Sequence, residues 1–229
     1  MIPLYDTIPS RQPAIAVWLL VGVHVLVFLA ELGLPTAALA ELVDGFAATP
    51  ARFAVAWAAG DVPPLWTLLT CVFLHAGWLH LIVNLWALWI FGDNVEDRMG
   101  PPRFVIFYLL CGAAASTAEV LVHPMSAAPL VGASGAIAGV MGAYLAMYPR
   151  ARIVLLVPLL FWPLYVEVSA LFFCLYWLLV QFLGGGLGLG DTTWQGGVAY
   201  WAHIGGFLAG LASYRLFLRE RAPRSDPRG

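Results

Sequence analysis

The chain has 229 residues, of which 62% are hydrophobic and 10% charged, with a mean hydropathy of +0.86. A soluble domain is about 25% charged, so this composition describes a protein whose solvent is lipid. The formal net charge of −2 supplies no basic face to follow a phosphate backbone, which excludes nucleic-acid binding as a function class.

Apolar runs bounded by charge, proline or glycine predict an all-α integral membrane protein with six spans. They lie at about 13–32, 77–92, 103–121, 134–149, 153–183 and 197–218, together forming a membrane domain over 13–218. The first has no small-residue cleavage site behind it and is long enough to cross, so it reads as a span and not as a cleavable signal. Residues 1–12 and 219–229 are polar, proline- and arginine-rich, and are expected to be short disordered ends on the cytoplasmic side. Residues 33–76 are broken by Pro35, Pro50, Gly60, Pro63 and Pro64 and are expected to form a loop lying in the membrane interface. Phe46, Phe53, Trp57 and Trp66 supply the aromatic rings that favour such a position.

Arginine sets the orientation. With the N-terminus inside, six spans place ten of the eleven arginines on the cytoplasmic side and leave only Arg52 outside. Ser134 then lies sixteen residues above Arg150, and His203 sixteen residues from Arg219. At 1.5 Å per residue both sit about 24 Å from the inner surface, several ångströms below the outer edge of a hydrocarbon layer about 30 Å thick. His80, seventeen residues from Asp97, shares that level, with Asn84 one turn deeper on the same helix face.

Four hydrogen-bonding side chains at one depth have a chemical use. A serine hydroxyl becomes a nucleophile when a histidine within hydrogen-bond reach takes its proton, which casts Ser134 as nucleophile and His203 as general base. No carboxylate is placed to orient His203, so the expected unit is a dyad. The negative oxygen formed on attack needs preorganised donors, expected from the Ser134 backbone N–H at a helix start and from the side chains of His80 and Asn84. The run Gly184-Gly185-Gly186-Leu187-Gly188-Leu189-Gly190 would suit a mobile cap that admits water. No cofactor and no metal are expected. His75 and His80 are five residues apart and point to different faces of a continuous helix.

The pattern His75, His80 and Asn84, then Gly92-Asp93-Asn94-Val95-Glu96-Asp97, then Gly132-Ala133-Ser134-Gly135, then Ala202-His203-Ile204-Gly205-Gly206 with Gly210, resembles the signature of the rhomboid intramembrane serine proteases. The resemblance runs in order from about residue 65 to 212. It implies a six-helix rhomboid core opening to the outer side and cleavage of single-pass membrane proteins at or near their transmembrane segments. It carries the dyad onto Ser134 and His203, the oxyanion role onto His80 and Asn84, and a structural hydrogen-bonding role onto His75. Many rhomboids have Trp-Arg where Trp66 is followed by Thr67, and some have Glu at Pro64, which predicts a loop held differently. Some have an aromatic residue where this chain has Ala138, so His203 is expected to be oriented by other neighbours. A compact chain of this kind suits a prokaryotic plasma membrane.

Plainer readings apply to several residues. Gly132, Gly135, Gly139, Gly142, Gly206 and Gly210 are small enough to serve close helix packing, and that role is expected of them. Packing does not explain a histidine at the depth of Ser134. His24 is read as structural, His123 as solvated, and Cys71, Cys111 and Cys174, which lie singly in apolar segments, as packing residues. Asp93, Glu96 and Asp97 read as a helix end at the cytoplasmic face, with Glu96 as a cap or anchor. Glu167, mid-way along the fifth span, is expected to face protein or water. Two other function classes compete: an inactive rhomboid-like protein that binds transmembrane clients, and a proton relay or transporter, for which no internal repeat is visible.

Overall fold

The computed structural model describes residues 2–159, 162–187 and 198–219. It is mostly helical: α1 (Ile15–Leu32), α2 (Thr36–Phe46), α3 (Pro50–Ala59), α4 (Thr67–Thr70), α5 (Trp78–Met99), α6 (Pro101–Val122), α7 (Ser134–Met147), α8 (Ala170–Gly186) and α9 (Tyr200–Ser213). Three strands, β1 (Ile2–Asp6), β2 (Arg152–Pro158) and β3 (Pro163–Ser169), form one antiparallel sheet in the order β1-β2-β3.

Helix ends follow local chemistry. Pro50 opens α3, where its missing N–H is no loss, and Gly60 closes it at φ 76°, the left-handed region. Gly100 at φ 79° separates α5 from α6, which then starts on Pro101. Ser169 caps α8 by accepting the Phe172 N–H at 3.2 Å. The N-terminus of α1 is capped from another helix: both carboxylate oxygens of Glu96 on α5 accept backbone N–H groups, those of Ala16 at 2.9 Å and Val17 at 2.8 Å. Glu96 therefore acts as the anchor its position suggested.

α1 and α6 are each long and apolar enough to cross a membrane, and Thr67–Phe73 with α5 makes a third candidate span bent by 98°. α7 and α8 are shorter apolar helices. At fourteen residues α7 is about 21 Å long, less than the roughly 30 Å of a hydrocarbon core. It is buried on all sides from Gly135 to Leu145, whereas Trp18, Leu19 and Leu26 on α1 and Phe172, Leu175 and Leu179 on α8 turn outward. α7 is thus the central post, and the outer helices present apolar side chains as lipid-facing surfaces do.

The contact between α7 and α9 is made by glycine on glycine. A Cβ at Gly206 would fall on the carbonyl oxygen of Gly135, and one at Gly210 on that of Gly139. The packing role expected of these glycines is the one they have.

Four expectations change. The run 153–183 is not one helix: β2 and β3 occupy its first half, and α8 begins only at Ala170. Pro158 and Pro163 lack the N–H that helix needs, and the β-branched and aromatic residues between Arg152 and Ser169 pair well across a hairpin. Glu167 accordingly lies on β3 opposite Val154 and is exposed, not mid-helix in the bundle. Residues 2–6, expected to be disordered, form β1. Its Asp6 carboxylate accepts from Asn94 Nδ2 at 3.0 Å and from the Tyr144 hydroxyl, and Trp86 donates to the Pro3 carbonyl at 2.6 Å. The segment 33–76 carries three α-helices and a 3-10 turn (Cys71–Phe73), tied down by Trp66 Nε1 to the Gly45 carbonyl at 3.2 Å and Thr67 Oγ1 to the Pro64 carbonyl at 2.7 Å. Phe46, Trp57 and Trp66 are exposed there as expected, but Phe53 is buried in the core. Residues 188–190 of the glycine-rich run and 220–229 of the tail lie outside the described residues, while Gly184, Gly185 and Gly186 are the last turn of α8.

Candidate active site

Ser134 is the first residue of α7. The chain reaches it through Gly132, held at φ 118° and anchored by its N–H to the Cys71 carbonyl at 2.9 Å. The left-handed φ favours glycine, and a Cβ there would also strike the His80 ring and approach Asn84 Nδ2. One residue thus sets both the entry to α7 and the closeness of His80 and Asn84. The first N–H groups of a helix have no carbonyl a turn behind them and carry the positive end of its dipole, so an oxyanion beside Ser134 would meet donors.

His203 sits one turn into α9, and its Nε2 is 2.8 Å from Ser134 Oγ. The two α-carbons are 69 residues apart in sequence and are brought together by the glycine contact between α7 and α9. The other ring nitrogen, Nδ1, is 2.7 Å from Oε1 of Gln181 on α8, and the ring lies against Trp177 with centroids 5.6 Å apart. These α8 neighbours take the place that an aromatic residue at Ala138 would have held. Sequence reasoning passed over both. A buried glutamine in an otherwise apolar helix was the available signal, because amides in lipid are costly unless partnered.

Asn84 is 5% exposed, and its Nδ2 has no hydrogen-bond partner among the described residues. A buried amide N–H left unpaired is a standing cost; beside Gly132 it is a donor in reserve. His80 is half-buried and packs edge-on to His75, with centroids 5.2 Å apart. His75 is fixed through its Nδ1 to the Phe73 carbonyl at 3.2 Å, and its backbone N–H reaches the Glu31 carboxylate at 3.3 Å. That is a structural position.

A second overlooked residue is Glu119 on α6. Its Oε2 accepts the Ala202 N–H at 3.0 Å, holding the first turn of α9 from outside, and its Oε1 is 2.5 Å from His123 Nδ1. His123 is therefore paired, not simply solvated. His24, by contrast, is fully buried and bonded through Nε2 to the Tyr108 hydroxyl at 2.9 Å, as a structural histidine should be. All three cysteines are free and buried.

A half-buried serine and histidine in hydrogen-bond contact at two helix starts stand among apolar helices long enough to enter a bilayer, as in a membrane protein. The chain matches the rhomboid domain over residues 63–220 and belongs to the rhomboid family. It is 34% identical over 147 residues to RHOMBOID-like protein 6, mitochondrial, of Arabidopsis thaliana, covering 64% of this chain and 41% of that protein. It is 45% identical over 80 residues to rhomboid protease GluP of Bacillus subtilis (strain 168), covering 35% and 15% respectively. With Rhomboid-like protease 3 of Toxoplasma gondii it shares 30% identity over 159 residues, 68% of this chain and 53% of that one. The chain thus spans less than half the length of the first two relatives.

Proposed function

We propose that this protein is an intramembrane serine endopeptidase that cuts single-pass membrane proteins within or near their transmembrane segment. The observation that carries the reading is the 2.8 Å contact between Ser134 Oγ and His203 Nε2. In this reading Ser134 attacks the scissile carbonyl while His203 takes its proton, and His203 then returns that proton to the leaving amine. The Ser134 backbone N–H, His80 and Asn84 donate to the oxyanion, the unpaired Asn84 Nδ2 being committed to nothing else. Water enters as the second nucleophile and releases the acyl group, with His203 again as base. Six spans, both termini on the cytoplasmic side and a site opening outward fit the arginine distribution. The relatives named as proteases support the class of reaction.

The test is cleavage of a single-pass substrate in liposomes by the wild type, Ser134→Ala and His203→Ala. Loss of cleavage in both folded variants is expected. A folded wild-type protein that binds the substrate and leaves it intact would instead identify an inactive rhomboid-like binder.

A further inference from the structure

We propose that Gln181 is a positioning residue for His203, the third member of the catalytic unit; this rests on the Ser134–His203 reading. Gln181 lies on α8, 22 residues before His203, and is 6% exposed. Its amide is not free to turn. Nε2 donates to the Trp177 carbonyl one turn back at 3.3 Å, which directs Oε1 toward His203 at 2.7 Å. A carbonyl oxygen only accepts, so His203 must carry its proton on Nδ1. Nε2 is then the bare nitrogen, and it is the one 2.8 Å from Ser134 Oγ, where it accepts the hydroxyl proton. The opposite tautomer would set a lone pair against the Gln181 oxygen and a proton against the serine it must deprotonate.

Trp177 completes the arrangement. Its ring lies against His203, and its carbonyl holds Gln181, so one turn of α8 fixes both the plane and the tautomer of the imidazole. An amide does this without adding charge to a site that already stands among apolar helices, where a carboxylate would be costly. The titratable groups around His203 are His80 across the site on α5 and Glu119 on α6, which holds the α9 backbone at Ala202. Among the described residues neither is hydrogen-bonded to the His203 ring, whose partners are Gln181 and Ser134, so the assignment of Nδ1 falls to Gln181.

The experiment uses the full chain in detergent, with Gln181→Ala, Gln181→Glu and Ser134→Ala. Two quantities are read: the nitrogen-15 signals of His203, assigned with His203→Gln, and the rate of fluorophosphonate labelling as a function of pH. Wild-type His203 is expected as the single Nδ1–H tautomer. Gln181→Ala should mix the tautomers and slow labelling by about 10- to 100-fold, on the scale of one lost orienting hydrogen bond. Gln181→Glu keeps the acceptor and should keep the tautomer. Its charge favours the imidazolium, so the acidic limb of the profile moves up by about one pH unit or more. A merely structural glutamine would leave that limb in place. Unmixed tautomers and wild-type labelling in Gln181→Ala overturn the proposal. If Gln181→Ala does not fold, an unshifted acidic limb in Gln181→Glu overturns it alone. If Ser134 is not labelled in any variant, the dyad reading fails, whereas the tautomer signals still report on Gln181 separately.

Discussion

Gly135 on α7 and Gly206 on α9 meet backbone to backbone, and this contact brings Ser134, one residue before Gly135, and His203, three residues before Gly206, to 2.8 Å between Oγ and Nε2. With no Cβ between them the two helices approach more closely than any other residue pair would permit. The site is therefore a product of packing at the helix seam. Gly206→Ala and Gly210→Ala should each cost about 1–3 kcal/mol of stability by overpacking. Labelling of Ser134 should fall by about 100-fold, since a displacement of about 1 Å at a reacting pair costs that much. Melting and labelling measured on the same samples check this; Gly206→Ala at wild-type values in both would show that the seam does not set the geometry.

Asn84 tests the oxyanion role. Asn84→Ala removes a donor that has no other partner among the described residues, so turnover should drop by roughly 10- to 1000-fold without vanishing. Steady-state kinetics with one transmembrane substrate measure it, and an unchanged kcat removes Asn84 from the site.

Asp6 gives a pH prediction. Burial is the main cause of its raised pKa, pushed from 3.8 up to about 6, with the charge of Asp93 adding to it against the hydrogen bond from Tyr144. Between about pH 4 and 6 the folded protein holds a proton that the unfolded chain releases, so stability from this group rises as pH falls through that window. Above pH 6 the ionised carboxylate opposes docking of β1. Asp6→Asn should accordingly melt higher than wild type at pH 7.5, with the difference shrinking as the pH falls and vanishing below about pH 4. A difference independent of pH would assign the effect to packing.

Glu167 on the edge strand β3 is exposed, opposite Val154 in the hairpin register. Glu167→Gln and Glu167→Leu should each change stability by less than about 0.5 kcal/mol, the usual range for surface positions. Thermal melts of the two variants decide, and a loss well beyond that would return Glu167 to a packed environment.

The gathering of Ser134, His203, His80 and Asn84 was legible because a constant helix rise, counted from charged residues at one end of each helix, put them at one expected level. The hairpin at Arg152–Ser169 was not, because a continuous apolar run reads the same for buried strand and buried helix, and hydropathy overrode the prolines at 158 and 163. β1 was missed for a related reason: its partner β2 was hidden inside that run. Gln181 and Glu119 belong to no local motif; each acquires its role only when α8 or α6 is set beside α9. The glycines could be read as packing residues, yet which faced which is a property of the folded seam.

The most direct measurement is mass spectrometry of the purified protein after incubation with a fluorophosphonate in detergent. The account predicts one adduct, on Ser134, absent from Ser134→Ala and formed far more slowly in His203→Ala. An adduct that persists in folded Ser134→Ala, or labelling indifferent to His203, would contradict it.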